Sequence, residues 1–369
     1  MTILHELRRQ GQSIWYDYIS RDYITSGAMA RHVEQGVLGM TSNPTIFERA
    51  VATSNSYDAQ IAALGTEAIG TPEVARAIFV EDVRAACDVM LPTFQGCEGG
   101  DGFISLEVSP TLAADTAGTI DEAHALWRTV DRPNLMIKIP ATREGIPAIR
   151  QAIVDGLNVN VTLIFSREQY RQVALAYIEG LEERQRRGNA IDRVASVASV
   201  FISRIDSMID ARLTSIETHA ALELRGRAAV ANAKLIYQDF LRLFSGERWE
   251  KLAAAGAQVQ RPLWASTSTK NPDYPDLLYV TSLIGPNTVN TVPPETLEAI
   301  LDHGEAVPAV TEGVEEAEHV LAAIHAHGVD LDDVMRTLLN EGVGKFADSF
   351  AALFAALDAK RAGVGSSMA

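Results

Sequence analysis

The first residue in this sequence that could do chemistry is a single lysine inside an apolar run. Pro133–Gly145 reads PNLMIKIPATREG, with Lys138 between isoleucines. Leu135–Ile139 is short, partly β-branched and bounded by proline, the pattern of a buried strand. A helical stripe of Ile146, Ile149, Ile153 and Leu157 follows it. An ammonium loses its hydration in such a place. Desolvation lowers a lysine's pKa and frees its amine to attack a carbonyl, so the chemistry on offer is a Schiff base. A lone strand lysine is more often an edge residue or one half of an ion pair, so Lys138 alone decides nothing.

Other polar residues change that weighing by where they fall. Asp17, Asn43, Glu107, Thr162, Ser199 and Ser266 each stand in or just after an expected strand. Singly they have bland explanations: a turn residue, a helix cap, a counter-ion for the lysine, ordinary strand fillers. Together, on successive strands, they are hard to dismiss as coincidence. Making and breaking an iminium demands proton transfers to a carbinolamine oxygen and to a substrate hydroxyl. Glu107 and Asp17 are the candidates for those transfers, with Thr162 able to orient a water.

Positioning such a set requires many strand ends at one place. The expected strands are Ser13–Asp17, Val37–Met40, Phe103–Val108, Leu135–Ile139, Asn160–Phe165, Val194–Phe201, Pro262–Ser266 and Leu277–Leu283. Helices or substantial loops separate them, as in a (β/α)8 barrel, where the strands' C-terminal ends meet at one mouth. A doubly wound sheet is the runner-up, but it would place a glycine-rich fingerprint after the first strand, and SIWYDYISRDY has none. Gly99, Gly100 and Gly102 precede a strand and read as a turn, not as a phosphate cradle. Asn43 or Ser42 caps a helix beginning at Pro44. No linker interrupts the chain, so one domain is expected over 1–369, with C-terminal helices over 312–360 packed on it. The last of these carries Phe346, Phe350, Leu353, Phe354 and Leu357 on one face.

Composition narrows the function classes. The chain has 369 residues and a net charge of −16, which disfavours nucleic acid and anionic membrane surfaces as partners. A few local lysines and arginines could still hold one phosphate. Cys87 and Cys97 form no CxxC pair, which excludes a cysteine-rich metal site and fits a reducing compartment. His325 and His327 are two apart with no third ligand in sight, so no metal site is expected. The N-terminus lacks an apolar run behind its charges, and no stretch is long and apolar enough to span a bilayer. A cytoplasmic location is the expectation.

Five stretches, TSNPT at 41–45, ISLEV at 104–108, LMIKIPAT at 135–142, NVNVTLIFS at 158–166 and ASVFISRID at 198–206, resemble transaldolase in the same order and at similar spacing. PLWASTSTKNP and YVTSLIGPNTVNTVP resemble the longer bacterial branch of that family, so the likeness covers nearly the whole chain. It implies an α/β fold, a single TIM barrel of the class I aldolase type with extra helices. It makes Lys138 the Schiff-base lysine, which takes a dihydroxyacetone unit from sedoheptulose 7-phosphate or fructose 6-phosphate to an aldose phosphate. No cofactor is implied, and the setting would be the non-oxidative pentose phosphate pathway. Asp17 matches the proton-transfer carboxylate, while Glu107 and Thr162 match the pair holding a catalytic water. Asn43 and Asn160 match residues that bind donor hydroxyls, with Thr41 and Ser105 beside them. Arg204 and Ser199 match the phosphate-holding positions, which suits the planar fork of a guanidinium.

Phe201 stands where simple aldolases of this family tend to carry tyrosine, and so favours transfer over release. One departure concerns the seventh strand, where other branches place a second arginine two residues after the serine. Here Ser266 is followed by Thr267 and Ser268, and the nearest cation is Lys270. Lys270 therefore takes over the phosphate contact, or Arg204 works with hydroxyls alone. Two other readings remain: a fructose 6-phosphate aldolase using the same lysine, and a non-catalytic sugar-phosphate-binding barrel.

Overall fold

The strands β1 (Gln12–Tyr16), β2 (Gly39–Thr41), β3 (Phe103–Glu107), β4 (Leu135–Pro140), β5 (Val159–Ile164), β6 (Ser196–Phe201), β7 (Arg261–Ala265) and β8 (Thr288–Val292) pair in parallel in sequence order. Pairing of β1 with β8 closes the barrel. This is a (β/α)8 barrel, seen in a computed structural model that describes residues 2–65 and 69–367. The ends of the expected 1–369 domain therefore fall outside the described residues.

The strands are buried on both faces, against helices outside and against one another's side chains inside. The base of the barrel is plugged by a polar knot. Asp101 accepts hydrogen bonds from Trp15 Nε1 at 2.8 Å and from Ser13, and pairs with Arg261 at 3.2 Å. With that end filled, the strands' other ends form the open mouth.

Seven expected strands match observed ones to within two residues. The eighth does not. Leu277–Leu283 is not a strand; it contains a helical turn, Leu278–Thr281. Its apolar residues instead pack beneath neighbouring helices, with Tyr279 donating to the buried carboxylate of Asp206 at 2.8 Å. The true β8 is TVNTV, whose Thr288, Asn290 and Thr291 point polar atoms at buried partners. A short apolar run cannot be told from a buried helix by periodicity, and a polar strand offers no apolar run at all.

Local chemistry shapes the loops at the mouth. Asn43 caps the helix Pro44–Thr53, its Oδ1 accepting from Ile46 N at 3.1 Å, and Pro44 takes the first turn where no N–H is needed. After β4, Thr142 Oγ1 accepts from Gly145 N at 2.9 Å and opens the helix Gly145–Asp155. A Cβ on Gly145 would sit 2.1 Å from the Pro140 carbonyl oxygen, so only glycine permits this turn. After β5, Ser166 and Gln169 form a capping box, and Gln169 Nε2 also donates to Ala141 O at 3.2 Å. That bond ties the loop after β5 to the loop after β4.

The C-terminal helix Leu331–Ser367 crosses the mouth. Leu353 and Leu357 are fully buried, and Phe346, Phe350 and Phe354 pack against the core. Phe350 meets Phe79 edge-on at 6.3 Å between ring centroids.

Candidate active site

Barrel closure brings most of the sequence-predicted polar residues to one cavity of about 200 Å³ at the mouth, while Glu107 lines a separate pocket with Phe350 and Phe354. Asp17, Thr41, Asn43, Lys138, Thr162, Ser199, Phe201, Arg204, Ser266 and Lys270 line it. Lys138 comes from the middle of β4, where the register sets it beside Glu107 of β3 and Asn160 of β5. The lysine is neither at an edge nor exposed: its side chain is 7% accessible. Its Nζ lies 3.4 Å from Glu107 Oε2 and donates to the Ser42 carbonyl at 3.2 Å.

Glu107 ends β3 and is as buried as its partner. Burial pushes its carboxyl up to about 7, against the downward pull of the neighbouring Lys138 ammonium. Its Oε2 and Thr162 Oγ1 are both buried without a hydrogen bond among the described residues. Each such oxygen, on the strands to either side of the Lys138 strand, suits a water as its partner. Asp17, just past β1, is also raised by burial, with Lys138 and a hydrogen bond pulling it back. That bond comes from Thr41 Oγ1 at 2.6 Å, and Thr41 in turn meets Thr291 Oγ1 at 2.8 Å.

Ser105 and Asn160 are fully buried and do not reach the cavity wall. Asn160 Nδ2 donates to Ser105 Oγ at 3.0 Å, and its Oδ1 accepts from Ser199 Oγ at 2.7 Å. Of these three, Ser199 alone faces the cavity.

Arg204 begins in the first turn of the helix Ser203–Thr214 after β6, its guanidinium 5.3 Å from the Phe201 ring centroid. It has no ion pair among the described residues, its Nη1 is buried without a hydrogen bond, and burial lowers its pKa. A half-buried cation with no ion pair, acted on from further off by the Glu341 carboxylate, suits an anion as its partner. Lys270 stands on the same cavity wall, donating to Ser268 Oγ at 2.6 Å. Ser266 holds a left-handed backbone, φ 55°, and meets Ser203 Oγ at 3.0 Å. A strained serine at a strand end is the kind of backbone that functional loops retain.

Several wall residues escaped the sequence reading. Thr291 and Pro293 were hidden by the misplaced eighth strand, and Glu295 follows them at the start of the next helix. Phe346 was legible only as part of an apolar helix face; the structure puts its ring 5.5 Å from Lys138 Nζ. Among the described residues no cluster of three or more His, Cys, Asp or Glu could hold a metal, and no helix is long and apolar enough to cross a membrane.

Comparison with known proteins agrees with this geometry. Residues 14–357 match the model of the family described as transaldolase/fructose-6-phosphate aldolase. A protein named transaldolase from Parafrankia sp. (strain EAN1pec) is 49% identical over 98% of each chain. A transaldolase of Thiobacillus denitrificans is 49% identical over 96% of this chain and 99% of its own. One from Mycobacterium tuberculosis is 46% identical over 94% of both.

Proposed function

This chain belongs to the transaldolase/fructose-6-phosphate aldolase family, and from that premise we propose how it works as an enzyme that transfers aldehyde or ketone residues. It moves a dihydroxyacetone unit from sedoheptulose 7-phosphate or fructose 6-phosphate to an aldose phosphate, through a Schiff base on Lys138. The whole chain acts as one barrel unit with its C-terminal helices packed upon it. The observation that carries the reading is a buried lysine amine 3.4 Å from a carboxyl held near neutrality, in a cavity that also presents Arg204 and Lys270.

Glu107 takes the proton from Lys138, and the neutral amine attacks the ketose C2 carbonyl. The carbinolamine oxygen leaves as water when Glu107 returns the proton, relayed by a water held between Glu107 and Thr162. The resulting iminium withdraws electrons from the C3–C4 bond. Asp17 then accepts the C4 hydroxyl proton, the bond breaks, and the first aldose departs. The three-carbon enamine waits on Lys138 until a second aldehyde enters. Its C3 forms the new bond, Asp17 protonates the new alkoxide, and water releases the product ketose. Burial raises the carboxyl pKa of Asp17, and Thr41 orients it at 2.6 Å, both suited to shuttling a proton.

Asn43, Thr41 and Ser199 hold the donor hydroxyls, with Asn160 and Ser105 orienting Ser199 from beneath. Arg204 holds the phosphate with Ser266 and Lys270. Phe201 adds no hydroxyl that could help water protonate the enamine, which favours transfer over simple aldol release. Reduction with borohydride in the presence of fructose 6-phosphate, followed by peptide mass mapping, tests the core of this reading. A reduced dihydroxyacetone adduct on Lys138 is expected. No adduct on any lysine, in protein shown to bind the sugar phosphate, overturns it and favours a binding barrel.

Lys270→Ala tests the phosphate assignment. Loss of one charge-assisted contact at an open site is worth about 1.4 kcal/mol, roughly tenfold. KM for fructose 6-phosphate should rise by about that factor with kcat nearly unchanged. An unchanged KM would leave the phosphate to Arg204 and hydroxyls.

A further inference from the structure

Phe346 lies on the C-terminal helix, far in sequence from the strands that carry the site, yet its ring stands 5.5 Å from Lys138 Nζ and lines the same cavity. Two contacts fix it there. Gly342, one helical turn earlier, lies against Leu163, so that a Cβ on it would come 2.9 Å from Leu163 Cδ2. Leu163 follows Thr162 directly, has a left-handed backbone with φ 60°, and stands where the register of β5 against β6 shifts. A bulge of this kind re-aims side chains beside a functional strand. Here it accompanies the seating of the crossing helix against the strand that carries Thr162. Past Phe346, Ser349 Oγ meets Thr45 Oγ1 at 2.8 Å, on the helix that Asn43 caps.

We propose that Phe346 is a specificity-determining residue, an aromatic ceiling over the Lys138 nitrogen that keeps solvent from the three-carbon intermediate. The inference rests on the Schiff-base reading above. Once Lys138 has condensed with a ketose, the nitrogen is part of a cationic iminium, which an aromatic face attracts. After C3–C4 cleavage the enamine has two fates. Its C3 can bond to an acceptor aldehyde, completing transfer. Alternatively, solvent protonates C3, water adds at C2, the C–N bond breaks, and free dihydroxyacetone leaves with Lys138 regenerated. Both fates consume the same intermediate. The reacting carbon lies two bonds from the nitrogen, so a ring over that nitrogen also shields the carbon. Phe201, on the wall of the same cavity, has its ring centroid 5.3 Å from the Arg204 guanidinium.

The test is the ratio of dihydroxyacetone release to transfer, with fructose 6-phosphate as donor and with or without erythrose 4-phosphate. Phe346→Ala should raise that ratio at least tenfold while borohydride still traps the adduct on Lys138. Deuterium from D2O should appear in the released dihydroxyacetone. Phe346→Met nearly conserves volume and guards against loss of the fold; it should raise the ratio in the same direction. A ratio within twofold of the parent enzyme, in either variant that still traps the adduct, overturns the proposal. Failure of the underlying reading looks different, because the parent enzyme itself would then trap nothing.

Discussion

Lys138→Ala is expected to lose transfer activity by on the order of 10⁵-fold while retaining affinity for fructose 6-phosphate to within a few-fold. The amine is the atom that becomes covalently bound in the proposed cycle, and the other lysine lining the cavity is engaged elsewhere. Lys270 is held toward Ser268, 2.6 Å away. The phosphate contacts proposed for Arg204 and Lys270 are untouched by the substitution, so calorimetric binding should survive. Removing the ammonium leaves Glu107 buried without its ion pair, a situation that costs stability if the carboxylate stays charged. Burial already raises this carboxyl to about 7 with the lysine present. Without the lysine's pull the carboxyl rises further and goes neutral, so the variant should fold, which circular dichroism would check. Single-turnover assays with enzyme in excess remove ambiguity about product release. A variant that transfers within tenfold of the parent rate would sink the Schiff-base mechanism. A parent enzyme with ligand binding but no turnover to lose would identify a binding barrel.

How much of this was legible beforehand follows from where each residue sits on its element. Lys138 and Glu107 stand in strands bounded by proline, glycine or serine, and their neighbours are apolar enough to mark those strands out. The barrel then follows from repetition of strand and helix, and with it the convergence of Asp17, Asn43 and Thr162. Asn43 shows that a bland reading and a functional one can both hold, since it caps a helix and lines the cavity at once. The eighth strand was misread because TVNTV turns threonines and an asparagine toward a polar interior, while Leu277–Leu283 concentrates apolar residues in a helical turn and its flanks. Ser105 and Asn160 were correctly placed on their strands, but depth along the strand, which separates the cavity wall from the layer beneath it, is not written in a period of two. The Ser42 carbonyl that receives the Lys138 proton donor is main chain, and no side-chain pattern marks it. Phe346 depends on where the C-terminal helix lands, far along the chain from Lys138, and that packing is a tertiary property.

Glu107→Gln is expected to slow transfer about 10³-fold and to remove the acid limb of the pH–rate profile. In the proposed cycle the productive form is a neutral amine beside a protonated carboxyl, reached when the Glu107 carboxylate takes the lysine's proton. Below the Glu107 pKa of about 7 that carboxyl is already protonated. The ammonium then has no acceptor 3.4 Å away, and attack on the carbonyl stops. kcat/KM for the parent enzyme should therefore be level above neutrality and fall tenfold per unit as pH drops below about 7. Glutamine has nearly the shape of glutamate and can still accept a hydrogen bond from the lysine, but it cannot take its proton. The variant's residual rate should depend on hydroxide or buffer base and rise steadily with pH, with no inflection near neutrality. Borohydride trapping on Lys138 should remain possible but slow, since the nucleophile is intact and only its proton acceptor is gone. Loss of the trapped adduct altogether would point to a misplaced lysine, and an unchanged acid limb would assign the titration to another group, with the buried Asp17 carboxyl as the next to substitute. The two results separate geometry from proton transfer, because a lysine merely propped in place by Glu107 would be propped equally well by glutamine.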